Sequence, residues 1–195
     1  MASKDPLPSN TPKDAVSLLV ADHKRVHGIF EEFKKFAESD ADDYVEFKQE
    51  LIKMACDELK VHTTIEEELF YPAVRKALPN EADLLNEAEV EHAGAKNLIA
   101  QLEKADASDP MTCAKFTVLT EYIEHHVREE ENDMFPKVRK SSLDLDALGS
   151  KMAARKAELQ KEKPVFDHPT GDPMNPSIWE RMRSVTSSLN PRNRA

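Results

Sequence analysis

Two stretches of this 195-residue chain repeat one arrangement of side chains able to ligate metal ions. The first reads His62-Thr-Thr-Ile-Glu66 and runs on to Phe70-Tyr71-Pro72; the second reads His126-Val-Arg-Glu-Glu130 and runs on to Met134-Phe135-Pro136. In both, glutamate follows histidine by four residues and proline follows it by ten. Each stretch is preceded by a segment bearing an isolated histidine, His23 for the first and His92 for the second. On a helix, residues four apart lie one turn apart on the same face. His62 then points with Glu66, and His126 with Glu130. All four histidines fall on apolar stripes: His23 among Leu19, Val20, Val26 and Phe30, and His62 among Ala55, Leu59, Ile65 and Leu69. His92 aligns with Leu85, Ala88, Ala95 and Ile99, and His126 with Leu119, Tyr122 and Ile123. His125 is flanked one turn either way by Glu121 and Glu129, which marks a solvated face.

An inward carboxylate without a partner costs several kcal/mol, and two at one level repel each other. A cation removes both penalties. Four imidazoles and two carboxylates exceed the needs of one four-coordinate zinc. They suit two ions bridged by Glu66 and Glu130, each ion also taking imidazoles. Imidazole and carboxylate without thiolate favour iron, with zinc or manganese as weaker fits.

The elements that must hold these residues are helices. Only four glycines occur, 33 % of residues are charged and 6 % aromatic. That composition favours helix over a turn-rich sheet fold. Apolar spacing predicts helices over about 11–39, 43–78, 81–105 and 109–140, the first capped by Thr11 with Pro12 next, the last opened by Asp109-Pro110. Pro72 is expected to bend the second helix or end its regular part, and Pro136 sits near the end of the fourth. Short connections between long amphipathic helices give an all-α, up-down-up-down antiparallel four-helix bundle. The expected division is a disordered leader at 1–11, the bundle at 12–140, and a C-terminal tail at 141–195. That tail has one helix over about 143–163, a Pro-rich connector holding His168, and a short amphipathic turn around Ile178, Trp179 and Met182.

The net charge of −10 argues against nucleic acid and anionic membranes as partners. No apolar run reaches the roughly 18 residues of a membrane span, and the N-terminal residues lack a secretory apolar stretch. Cys56 and Cys113 read as free thiols in a reducing compartment, which makes a cytoplasmic location the expectation. Neither cysteine lies beside a histidine or basic cluster that would activate it. No arrangement for nucleophilic catalysis stands out.

Asp22-His23, His62-x3-Glu66 with Phe70-Tyr71-Pro72, Glu91-His92, and His126-x3-Glu130 with Phe135-Pro136 resemble the hemerythrin-like family, or HHE cation-binding domain. The likeness covers about residues 12–140. It implies a four-helix bundle around a non-haem centre of two iron ions, bridged by the two carboxylates and by an oxo or hydroxo group. Oxygen-carrying members use five histidines, two of them four apart on the third helix. Here those positions hold Ala88 and Lys96. His27, one turn after His23, is the candidate fifth ligand, and Glu89 or Glu91 are further groups within reach. Tyr122, one turn before His126, is the candidate hydrogen-bond donor to a bound ligand. The altered set points away from reversible oxygen carriage and towards an open position for oxygen, nitric oxide or peroxide. Sensing, iron handling and oxidative defence are the expected roles. The alternatives are a metal-responsive adaptor that meets a protein partner through residues 141–195, and a redox-silent zinc protein.

Overall fold

A computed structural model describes residues 14–37 and 42–162. The leader, Thr11 and Pro12, His168, the Pro-rich connector and Trp179 lie outside the described residues. The described chain is helical throughout, with no strand. Its elements are α1 (Ala15–Phe36), α2 (Asp42–Ile65), α3 (Tyr71–Ala77), α4 (Ala82–Leu102), α5 (Pro110–Glu129), α6 (Phe135–Lys140) and α7 (Leu145–Glu162). No helix among the described residues is long and apolar enough to cross a membrane.

The first helix starts later than its sequence suggests. Asp14 is the cap: its carboxylate accepts from the Ser17 backbone N–H at 2.8 Å, and Ser17 Oγ donates to the same carboxylate. The Asp109-Pro110 start of α5 is as expected, with Asp109 accepting from the Met111 N–H. The two prolines act before their own positions. α2 and α3 form one rod interrupted by a π-helical turn at Glu66–Phe70, and α5 and α6 form another interrupted at Glu130–Met134. Proline lacks an N–H, and its ring would collide with the carbonyl four residues back in a continuous α-helix. Widening the preceding turn relieves this. The Tyr71 N–H reaches back to the Glu66 carbonyl and the Phe135 N–H to the Glu130 carbonyl, five residues each. Each π turn therefore opens on the glutamate of a His-x3-Glu pair. Such turns concentrate at functional sites.

Four rods, α1, α2–α3, α4 and α5–α6, form the body, and α7 packs across α1 and α2. The core has two apolar clusters. One holds Phe30, Phe33, Phe47, Leu59, Phe116 and Ile123. The other holds Leu19, Ile65, Phe70, Tyr71, Leu85 and Phe135, together with Leu148 and Met152 from α7. The histidines sit between the clusters in sequence on every rod: His23 between Leu19 and Val26, His62 between Leu59 and Ile65, His92 between Ala88 and Ala95, and His126 between Ile123 and Met134. A polar layer thus crosses the bundle with dry packing on both sides.

Candidate metal centre

Four rods each contribute one histidine to this layer, and the two π turns contribute its central carboxylates. His23, His62, His92, His126, Glu66 and Glu130 are all at least 95 % buried. Their side-chain atoms form two groups compact enough to hold an ion: His23, His62, Glu66 and Glu130, and then Glu66, His92 and His126. Glu66 belongs to both. In the first group, His62 Nε2 lies 3.1 Å from Glu66 Oε2, and His23 Nε2 lies 3.3 Å from Glu130 Oε2. In the second, His92 Nε2 lies 3.4 Å from Glu66 Oε2 and 3.1 Å from His126 Nε2. His126 Nε2 is also 3.6 Å from Glu130 Oε2.

The inward atoms are short of partners. Buried atoms with no hydrogen bond include His23 Nε2, both nitrogens of His62, both oxygens of Glu66 and Glu130 Oε2. Buried polar groups elsewhere in proteins are nearly always satisfied. Unsatisfied nitrogens and oxygens converge where His23, His62, Glu66 and Glu130 meet, and in the second group two imidazole nitrogens face each other beside Glu66, so a cation would complete each point.

Behind each imidazole stands a carboxylate on its Nδ1 side. His23 Nδ1 is 2.9 Å from Glu131, His92 Nδ1 3.0 Å from Glu67, and His126 Nδ1 2.7 Å from Glu91. His62 Nδ1 faces Asp22 at 3.7 Å. These carboxylates fix the ring orientation that turns Nε2 inward, as they do for histidines that bind metal. Their placement follows the repeat. Glu67 and Glu131 each follow a central glutamate, while Asp22 and Glu91 each precede an isolated histidine. Among the four, sequence reasoning singled out only Glu91 as a group that might approach the site. The signal for the rest was present: an acidic neighbour at the same offset in both halves.

Charge in the layer is strongly perturbed. Burial opposes a charged His23, yet the Glu130 and Glu131 carboxylates outweigh it and push the imidazole up to about 9. Burial at Asp22 is outweighed by His62 and Lys156, which hold its carboxyl down at about 2. Burial, together with the charge of Glu130, pushes Glu66 well above the usual carboxylate range. Burial and the neighbouring His126 hold His92 down at about 4. Two carboxylates in one dry layer do not both ionise unless positive charge is supplied.

The repeat is broken at one place. Tyr71 and Phe135 occupy equivalent positions, nine residues after His62 and His126. Phe135 stacks on His23 with ring centres 5.8 Å apart. Tyr71, fully buried, donates its hydroxyl to Glu130 Oε1 at 3.0 Å and sits 3.2 Å from His92 Nε2. Tyr71 is thus a polar group of the site that periodicity reads as core. Two expected members are elsewhere. His27 is 60 % exposed and faces Glu124 at 3.7 Å on the outside of the bundle, so it does not join the layer. Tyr122 is also at the surface, its ring lying over Gly94 of α4, and it does not reach the layer either. Glu89 pairs with Arg75 on the surface. His125 is half exposed, between Glu91 and Glu129.

A groove of about 420 Å³ between α1 and α5 reaches the layer at His23 and Glu131. Its walls include Val26, Phe30, Ile123 and Val127, with Lys24, His27 and Arg128 also along it.

The family model of the hemerythrin HHE cation-binding domain matches residues 14–138. The chain belongs to this family. The HHE domain accordingly spans the four rods of the body and ends before α7. An uncharacterised protein of Mycobacterium tuberculosis is 31 % identical over 106 residues, and one of Mycobacterium bovis is identical to the same extent. The match covers 53 % of this HHE protein and 63 % of those relatives. A DNA nickase of Nostoc is 28 % identical over 142 residues, which cover 72 % of this chain and 38 % of the nickase. The crystal structure of a hemerythrin HHE cation-binding domain-containing protein from Mycobacterium kansasii aligns with a TM-score of 0.62 and 28 % identity. It covers 76 % of this chain and 88 % of that one.

Proposed function

We infer that this HHE domain holds two iron ions in its buried layer and exposes one of them to a small ligand: oxygen, nitric oxide or peroxide. The observation that carries the reading is the pair of buried ligand groups joined through Glu66, with His23 Nε2, His62 Nε2, both Glu66 oxygens and Glu130 Oε2 lacking hydrogen-bond partners. His23 and His62 would hold one ion, His92 and His126 the other, with Glu66 and Glu130 between them. The donor set is imidazole and carboxylate; Cys56 packs in the apolar cluster beside Leu59, away from the layer. That set suits iron above zinc or manganese. A pair of redox-active ions supplies electron transfer to a small bound molecule, chemistry that no side chain here performs alone.

The chain's own residues do the rest. Asp22, Glu67, Glu91 and Glu131 keep the four imidazoles turned inward. Phe70 and Phe135, packed edge to face at 5.7 Å, exclude water from one side. Burial and the charge of Glu130 push the Tyr71 phenol well above its ordinary range, so it keeps its proton and donates it in a hydrogen bond to Glu130. The α1–α5 groove offers a small molecule a path to the His23 side.

The test is metal content per chain together with the ultraviolet-visible spectrum of protein purified without air, before and after exposure to air and peroxide. About two irons per chain, with a charge-transfer band appearing on oxidation, is the expected result. Zinc in place of iron, or no metal even after reconstitution with iron(II), overturns it.

A further inference from the structure

α7 lies beyond the HHE match, which spans the four rods that carry the layer. Yet α7 is joined to that layer on one side only. Lys156, with only 12 % of its side chain exposed, forms an ion pair with Asp22, whose other oxygen faces His62 Nδ1. Arg25 is the second cation on Asp22, at 3.4 Å, and it also binds Glu58. One residue earlier on α7, Arg155 grips Glu68 with two nitrogens at 2.7 and 3.1 Å. Glu68 sits two residues after Glu66 on the first π turn. Leu148 and Met152 anchor the same helix in the apolar cluster of Phe70 and Phe135.

The other half has a different arrangement. Glu91, which stands behind His126 as Asp22 stands behind His62, is met by the half-exposed His125 at 3.6 Å. The two ligand groups therefore differ in what meets the carboxylate behind His62 and the one behind His126: a partly buried lysine from α7 for the first, a surface imidazole for the second.

We propose that α7 is a clamp for one of the two ions: Lys156 fixes Asp22, Asp22 fixes His62, and the ion held by His23 and His62 is retained only while α7 is docked. The ion held by His92 and His126 does not depend on Lys156, because the carboxylate behind His126 is met by His125 instead. This rests on the two-ion reading above. Lys156 touches no ligand atom and acts as a positioning residue. Losing a group that supports a ligating histidine costs about 10- to 100-fold in metal affinity, and the loss here falls on half of the metal.

The experiment uses the full-length protein loaded with iron(II) without air and follows iron release to a chromogenic chelator. Wild type is compared with Lys156→Met and Lys156→Arg, with circular dichroism as the control for folding. In Lys156→Met, half of the iron is expected to leave about tenfold faster or more, the other half at the wild-type rate. Lys156→Arg restores slow release of both. Unchanged release in Lys156→Met overturns the proposal. Equal acceleration of both ions also overturns it, because α7 is then a general support. Should Lys156→Met fail to fold, Lys156→Gln carries the same test, read by the same split. A wild-type protein that holds fewer than two irons overturns the two-ion reading and the clamp together, and its stoichiometry distinguishes that failure from the clamp's alone.

Discussion

His126 and His125 are neighbours with opposite fates, and they test the site most directly. His126→Ala removes an inward nitrogen and is expected to lose half or more of the bound metal. His125→Ala and His27→Ala remove exposed imidazoles and should leave metal content unchanged. Metal analysis of the purified variants decides this. Tyr71→Phe makes a second test at this scale. It keeps the ring and its packing but leaves Glu130 Oε1 buried without its donor, which costs about 1–3 kcal/mol. Urea denaturation of the metal-free variant should register that loss with little change in the far-ultraviolet spectrum. The pairing of His62 with Glu66 and His126 with Glu130 was legible because four residues make little more than one helical turn. The same rule misplaced His27 and Tyr122. Four residues overshoot a full turn by roughly 40°, which turns a residue one turn from a ligand towards the edge of the buried face. His27 falls there at the α1–α5 groove, and Tyr122 falls over Gly94. Tyr71 was missed for a related reason. The π turn inserts an extra residue between His62 and Tyr71, so counting along a regular helix does not show that its hydroxyl reaches the layer.

At the scale of elements, α7 depends on one close approach. A Cβ on Gly149 would lie 2.6 Å from the Ala15 backbone nitrogen and 2.7 Å from the Asp14 carbonyl carbon. No side-chain motion can relieve that contact, because both atoms belong to the capped start of α1. Gly149→Ala is therefore expected to push α7 off α1 and cost about 1–3 kcal/mol, despite alanine's higher helix propensity. Thermal denaturation would show the loss, and limited proteolysis would show earlier cleavage around α7. An alanine that raises the melting temperature would mean that α7 is not seated this closely. The helical character of the chain was legible from its composition and apolar spacing. The start of α1 was not, since Thr11-Pro12 and Asp14 both make acceptable caps in sequence, and it is Asp14, bonded to Ser17, that caps α1. The seating of α7 was equally invisible: a single glycine in an amphipathic helix does not reveal which backbone approaches it.

For the whole molecule, the question is how a small ligand reaches a layer sealed by apolar clusters above and below. α7 covers the α1–α2 side, and the groove on the His92 side is lined by the charged groups Glu67, Arg75, Glu89 and Lys96. The groove between α1 and α5 remains, with His23 and Glu131 at its inner end. Its apolar residues Val26, Phe30, Ile123 and Val127 suit passage of a small, weakly hydrated molecule. Val127 is partly buried at the wall, so a larger side chain there narrows the groove without entering the ligand layer. Val127→Trp should leave iron content and the resting spectrum unchanged while slowing the stopped-flow reaction with nitric oxide or peroxide several-fold. The equilibrium affinity for nitric oxide should stay the same, because a narrowed path slows entry and exit alike. A changed affinity with unchanged rates would place the substitution's effect at the ions themselves. Unchanged rates and affinity would mean that ligands enter by another face.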